Sequence, residues 1–95
     1  MFIKKQKPSR KKVAFSFHAP QAESVLLAGD FNRWNPRKHP LKKGVSGDWE
    51  AFLMLAPNTY EYKYMVDGNW QMDPFNNQTC ENCFGSQNNL VTVPE

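Results

Sequence analysis

The sequence predicts an all-β, antiparallel β-sandwich on three observations. Short apolar runs with period-two alternation recur along the chain, turn residues separate them, and no stretch carries a helical period of useful length. The most legible stretch is Tyr60 to Pro74, where Tyr60, Tyr62, Tyr64 and Val66 alternate with Glu61, Lys63 and Met65. Asp67-Gly68 then supplies the two residues that tolerate positive φ in a type I′ hairpin turn. Such a turn pairs Val66 with Asn69, Met65 with Trp70, Tyr64 with Gln71 and Lys63 with Met72. This register sets Lys63, Met65, Trp70 and Met72 on one face of the hairpin, and the tyrosines and Val66 on the other. One face is free to join a core while the other displays a flat indole diagonal to a lysine. That pairing suits the apolar face and hydroxyl edge of a sugar, and it also suits ordinary packing.

From the start of the chain, residues 1–12 read as a basic, flexible arm. The net charge is +3, and Lys4, Lys5, Lys7, Arg10, Lys11 and Lys12 all precede the first acidic residue, Glu23, so that the rest of the chain has a small acidic excess. No aromatic interleaves these lysines and no helix period organises them, so a solvated tail is expected ahead of an electrostatic handle. Residues 13–95 form the domain. Val13 to Phe17 alternates as a first strand, and Ser24 to Ala28 is a continuous apolar run fitting a buried strand, broken by Gly29-Asp30. Phe31-Asn32-Arg33-Trp34-Asn35-Pro36 reads as a loop, unusual in carrying two large rings that solvent normally excludes. Arg37 to Gly47 is loop or weak edge strand, with Leu41 turned inward. Trp49, Ala51, Leu53 and Leu55 alternate with Glu50, Phe52 and Met54 in a further strand. Pro57-Asn58-Thr59 turns into the tyrosine hairpin, Phe75 to Asn89 reads as loop, and Leu90 to Val93 closes the chain as a last strand.

Ninety-five residues hold one core, too short a length for most enzymes. No apolar run approaches a membrane span and the N-terminus lacks a signal-peptide core, so a cytoplasmic location with no membrane partner is expected. Two cysteines argue against a disulfide-stapled secreted scaffold. Cys80-Glu81-Asn82-Cys83 lacks the further ligands zinc needs and the helical setting of a redox pair, leaving two free thiols in a loop, with a labile disulfide second. No metal or cofactor is expected. Asp30, Glu61, Asp67 and Asp73 do not form the facing carboxylate pair of a glycosidase, and no nucleophile lies near the histidines.

Four motifs in order, V-L-L-A-G-D-F-N-R-W-N-P, G-D-W-E-A-F-L-M-L-A-P, Y-E-Y-K-Y-M-V-D-G-N-W-Q-M-D-P and F-G-S-Q-N-N-L-V-T-V, resemble carbohydrate-binding module family 48 over residues 13–93. This is the glycogen-binding domain of the AMP-activated protein kinase beta subunit and the N-terminal domain of isoamylases and branching enzymes. The resemblance implies an immunoglobulin-like sandwich that binds α-1,4-linked glucan without catalysis. It places the sugar-binding roles on Trp34 in the F-N-x-W loop, Trp70 after V-D-G, and Lys63 in the Y-K segment. Phe84, Ser86 and Asn88 fall on the family's leucine, threonine and asparagine positions before the last strand. Trp49 is expected in packing instead. The implied partners are glycogen or a maltooligosaccharide, and a glycogen-metabolising enzyme or kinase. The alternative is a protein-interaction or regulatory module that retains the fold. Nucleic-acid binding through the arm is a third reading, and it predicts steep salt dependence that a neutral glucan does not.

Overall fold

A computed structural model describes residues 9–95, and the chain folds there as two antiparallel sheets packed face to face. The strands are β1 (Lys11–His18), β2 (Val25–Gly29), β3 (Lys42–Lys43), β4 (Asp48–Leu55), β5 (Asn58–Val66), β6 (Asn69–Gln71), β7 (Thr79–Glu81) and β8 (Gln87–Val93). One sheet has the order β1-β4-β3, the other β2-β5-β8-β7 with β6 paired to β5. The only helical turns among the described residues are two 3-10 turns, Asp30–Asn32 and Pro36–Lys38. Among the described residues no helix is long and apolar enough to cross a membrane.

The alternation in the sequence becomes the two sides of each sheet. Phe15 and Phe17 of β1 and Leu53 and Leu55 of β4 point inward against Val25, Leu27, Tyr62, Tyr64 and Val66 of the facing sheet. Aromatic rings join the layers: Phe15 meets Tyr62 edge-on at 5.2 Å between centroids, and Phe17 meets Tyr64 at 5.1 Å. Trp49 belongs to this core, 8% exposed, with its Nε1–H donated to the Ala19 carbonyl at 2.9 Å. Leu41 is also buried, as its apolar character among lysines requires.

The central hairpin has the register its turn residues dictate. Val66 pairs with Asn69, Met65 with Trp70 and Tyr64 with Gln71. Asp67 and Gly68 sit at φ 48° and 84°, the positive values a two-residue I′ turn demands. Asp67 also ties the turn to the start of β2, its Oδ1 accepting the Glu23 and Ser24 amides, both at 2.9 Å.

Four expectations are corrected. Strand β1 begins at Lys11, so the basic segment gives up its last two residues to the sheet: Lys11 and Lys12 pair with Leu55 and Met54, and Lys12 Nζ sits 4.5 Å from the Phe52 ring centroid. The rest of the predicted arm, residues 1–8, lies outside the described residues. The Lys63–Met72 pair does not form, because β6 ends at Gln71 and the Asp73 amide turns away to donate to Asn89 Oδ1 at 2.7 Å. The stretch from Phe75 to Asn89 is not all loop: β7 pairs Cys80 with Asn88, and β8 starts three residues before Leu90, at Gln87. Cys80 therefore lies in a strand, while both thiols are free as expected.

Candidate carbohydrate-binding groove

The outer face of the larger sheet carries an open groove of about 790 Å³, and all of the predicted binding residues, Trp34, Lys63, Trp70, Phe84, Ser86 and Asn88, line it. They arrive from separate parts of the chain. Trp34 comes from the loop after β2, Lys63 from β5, Trp70 from β6, and the other three from the β7–β8 turn and the start of β8.

The loop that presents Trp34 is built on Asn32. This side chain is 3% exposed, accepts the Gly29 amide at 3.0 Å and donates to the Leu27 carbonyl at 2.9 Å. Buried polar groups of this kind close a turn by satisfying main-chain groups that the strand's end leaves open. Phe31 turns the other way, against Phe15 and Tyr60. The chain then passes through two successive left-handed residues, Arg33 at φ 56° and Trp34 at φ 60°. Each costs about 1–3 kcal/mol for a residue with a Cβ, a strain that surrounding contacts must hold in place. Those contacts are the Trp34 amide donating to the Gly29 carbonyl at 2.9 Å and the indole Nε1–H donating to Asp30 Oδ1 at 3.0 Å. Asp30 Oδ2 accepts the Glu61 amide at 2.8 Å, fastening the loop to β5.

Gly29 is required by close approach rather than by its backbone angles. A Cβ there would lie 2.5 Å from the Glu61 carbonyl oxygen and 2.7 Å from the Phe31 ring.

The two indoles lie beside each other in the groove, centroids 6.4 Å apart and planes 65° apart. Trp70 is 48% exposed and Trp34 half-buried, so each keeps a face toward solvent. Phe84 also lines the groove, projecting from the β7–β8 turn with 89% of its surface exposed. Exposed aromatic rings set at an angle around a groove offer apolar faces to a ligand that bends between them.

The polar groups form a linked set. Lys63 Nζ donates to Ser86 Oγ at 3.2 Å, and Asn82 Nδ2 donates to Ser86 Oγ at 2.8 Å and to Asn88 Oδ1 at 3.0 Å. Asn88 is 6% exposed and donates to Glu61 Oε1 at 3.0 Å. Asn88 thus sits in the floor, with one N–H and one lone pair left for a ligand. Asn82 also caps its own turn, accepting the Phe84 amide at 2.9 Å and the Ser86 amide at 3.2 Å. Gly85, at φ 80°, completes that turn and sets Phe84 outward.

Sequence reading missed five residues that line this site: Asp30, Glu61, Glu81, Asn82 and Cys83. Asn82 had a local signal, an asparagine four residues before a serine in a glycine-bearing turn. The link from Asp30 to Glu61 spans 31 positions and has no sequence signature. Cys83 borders the groove, and desolvation and the neighbouring Glu61 push the Cys80 thiol pKa up and disfavour the thiolate.

Charge around the groove is mixed, with Lys63 against Asp30, Glu61 and Glu81, which suits a neutral ligand better than an anionic one. Among the described residues no group of three or more His, Cys, Asp or Glu side chains is placed to hold a metal ion.

Residues 12–95 match the family described as the glycogen recognition site of AMP-activated protein kinase. Among curated proteins, the chain is 50% identical over 54 residues to the 1,4-alpha-glucan branching enzyme of Nitrosococcus oceani, covering 55% of this chain. It is 47% identical over 55 residues to that of Nitrosospira multiformis and 43% identical over 54 residues to that of Xanthomonas euvesicatoria, each covering 57% of this chain. The matched segment is 7% of the length of each of these enzymes. With the family matched from the first strand to the C-terminal residue, the chain belongs to the glycogen-recognition family of carbohydrate-binding modules.

Proposed function

We propose that this domain binds α-1,4-linked glucan, glycogen or starch-like chains, and holds it without altering it. The observation that carries the reading is the convergence of Trp34 and Trp70, two partly exposed indoles angled beside each other in a groove with a polar floor. Glucose rings present apolar C–H faces that stack on the indoles, and Phe84 wedges against the chain. Lys63 and Ser86 meet hydroxyl groups at the rim, and Asn88 meets them from the floor. Buried polar groups at such a site offset their desolvation only by finding hydroxyl partners.

A small open groove of this kind gives modest affinity, of order micromolar to millimolar, roughly −4 to −8 kcal/mol. Retention on a branched polymer then rises through many simultaneous engagements. In that role the module tethers a glucan-acting enzyme or kinase to its polymer. Native electrophoresis through gels containing glycogen tests the reading. The wild-type chain is expected to be retarded relative to a glycogen-free gel, and the retardation persists as salt is raised. Unretarded migration of the folded protein in glycogen, amylose and pullulan gels would remove the carbohydrate reading.

A further inference from the structure

The smaller sheet has an opening that the glucan groove does not use. Strand β3 pairs with β4 through only two residues, Lys42 with Glu50 and Lys43 with Trp49. Immediately before it the chain leaves β4 and crosses to the other sheet: the Leu27 amide donates to the His39 carbonyl at 3.1 Å, the Leu41 amide donates to the Val25 carbonyl at 2.9 Å, and Pro40 bridges Leu26. The positions beside Ala51, Phe52 and Leu53, where a longer β3 would run, are therefore vacant among the described residues. A groove of about 600 Å³ occupies the gap, with Lys38, Lys42, Lys43 and Glu50 on its walls. Phe52 and Met54 stand outward along this edge, 56% and 54% exposed.

We propose that this open edge of β4, Ala51–Leu55, is a strand-addition site for an extended acidic peptide of a partner protein. Two observations select that occupant. This edge offers main-chain N–H and C=O groups, of which the Met54 carbonyl already accepts from Arg10 Nη1 at 3.4 Å, and another extended main chain satisfies such groups in a way that neither a nucleic acid nor a lipid headgroup does. The walls carry three lysines against one glutamate, and Lys12 lies over Phe52 at 4.5 Å from its ring centroid, so acidic side chains are favoured. A second copy of this chain would bring the same lysines to the same edge, and like charges oppose that pairing. The glucan groove has the opposite balance, one lysine against three carboxylates, and lies on the other sheet. The two faces are suited to different ligands at the same time.

The test is a titration of the ¹⁵N-labelled full chain with an acetylated octapeptide alternating Glu and Val. A Lys–Val octapeptide and inorganic polyphosphate serve as controls. At a peptide concentration about ten times Kd, exchange of the outward amides of Ala51–Leu55 is expected to slow about tenfold. Their resonances shift, while the Trp34 and Trp70 indole resonances stay in place. Neither control produces this, and the double variant Lys38→Glu/Lys42→Glu, melting like the wild type, loses it. Three results would overturn the proposal: amides on both sides of Ala51–Leu55 equally protected in the free protein, the same shifts from polyphosphate, or no slowing at millimolar peptide. Each leaves the glucan reading untouched.

Discussion

Trp34 and Glu61 are held together by one carboxylate: Asp30 Oδ1 accepts the Trp34 indole N–H at 3.0 Å and Asp30 Oδ2 accepts the Glu61 amide at 2.8 Å. The loop that carries the indole is thereby locked to the strand that carries Lys63. Because Arg33 and Trp34 both occupy left-handed backbone, the loop has no local preference for this shape and depends on the anchor.

Replacing the anchor separates orientation from contact. Asp30→Ala keeps both tryptophans but frees the indole, and is expected to weaken maltoheptaose binding about tenfold, equivalent to about 1.4 kcal/mol. Calorimetric titration alongside thermal unfolding checks this. Unchanged affinity in Asp30→Ala would show that the indole needs no such anchor.

Lys63 is expected to act through its donor and not its net charge. Lys63→Ala removes the contact to Ser86 and the donor to a sugar hydroxyl, at a cost of about 0.5–1.5 kcal/mol in binding. Binding of a neutral glucan by the wild type stays flat as salt is raised, which affinity measured across a salt series reports directly. A steep decline with salt would point to an anionic ligand instead.

The two core tyrosines give opposite outcomes on losing their hydroxyls. Tyr62 donates to Asp73 Oδ2 at 2.9 Å and accepts from Asn76 Nδ2 at 2.9 Å. Tyr64 is fully buried and its hydroxyl has no partner in hydrogen-bonding geometry, although the Ser16 main chain lies alongside. Burial first, then the Asp73 charge, push both phenols well above their ordinary pKa. Tyr62→Phe is expected to destabilise by about 1–2 kcal/mol, while Tyr64→Phe is neutral or stabilising because it deletes an unpaired polar atom. Urea unfolding of the two variants checks the contrast.

At the far end of β1, His18 Nδ1 lies 2.6 Å from Asp48 Oδ1, and Ser46 Oγ donates to Asp48 Oδ2 at 2.9 Å. These hydrogen bonds, His18's first, lower the Asp48 pKa from 3.8. The unfolded chain then binds the proton more readily than the folded one, so stability rises with pH through this interval. The contribution is complete above the unfolded value and is lost as pH falls through the lowered one. Thermal melts below about pH 5 should therefore show a shallower acid slope in Asp48→Asn than in the wild type. Because the pair is exposed, the difference is small.

Much of this was legible in the sequence because local chemistry dictated it. Asp67-Gly68 admits few turns, and the turn fixes the pairing of Met65 with Trp70 and hence the face that Lys63 and Trp70 share. Phe84, Ser86 and Asn88 were reached through family motifs and fall in the same groove. What was not legible depends on distant partners. Lys11 and Lys12 read as tail because charge masks a strand when the sheet beside it is unknown. Thr79–Glu81 is a polar tripeptide whose strand character exists only through its pairing with β8. Asn88 is reached only as a family position, and its low exposure follows from Glu61 and Asn82 closing around it.

The most direct test of the central claim is calorimetric titration of maltoheptaose into the wild type, Trp34→Ala and Trp70→Ala, each checked for an unchanged fold. The account predicts wild-type binding of order micromolar to millimolar, lost or weakened at least about tenfold, roughly 1.4 kcal/mol, in each variant. Wild-type affinity retained in both variants, or no heat from the folded wild type at any practical concentration, would contradict it.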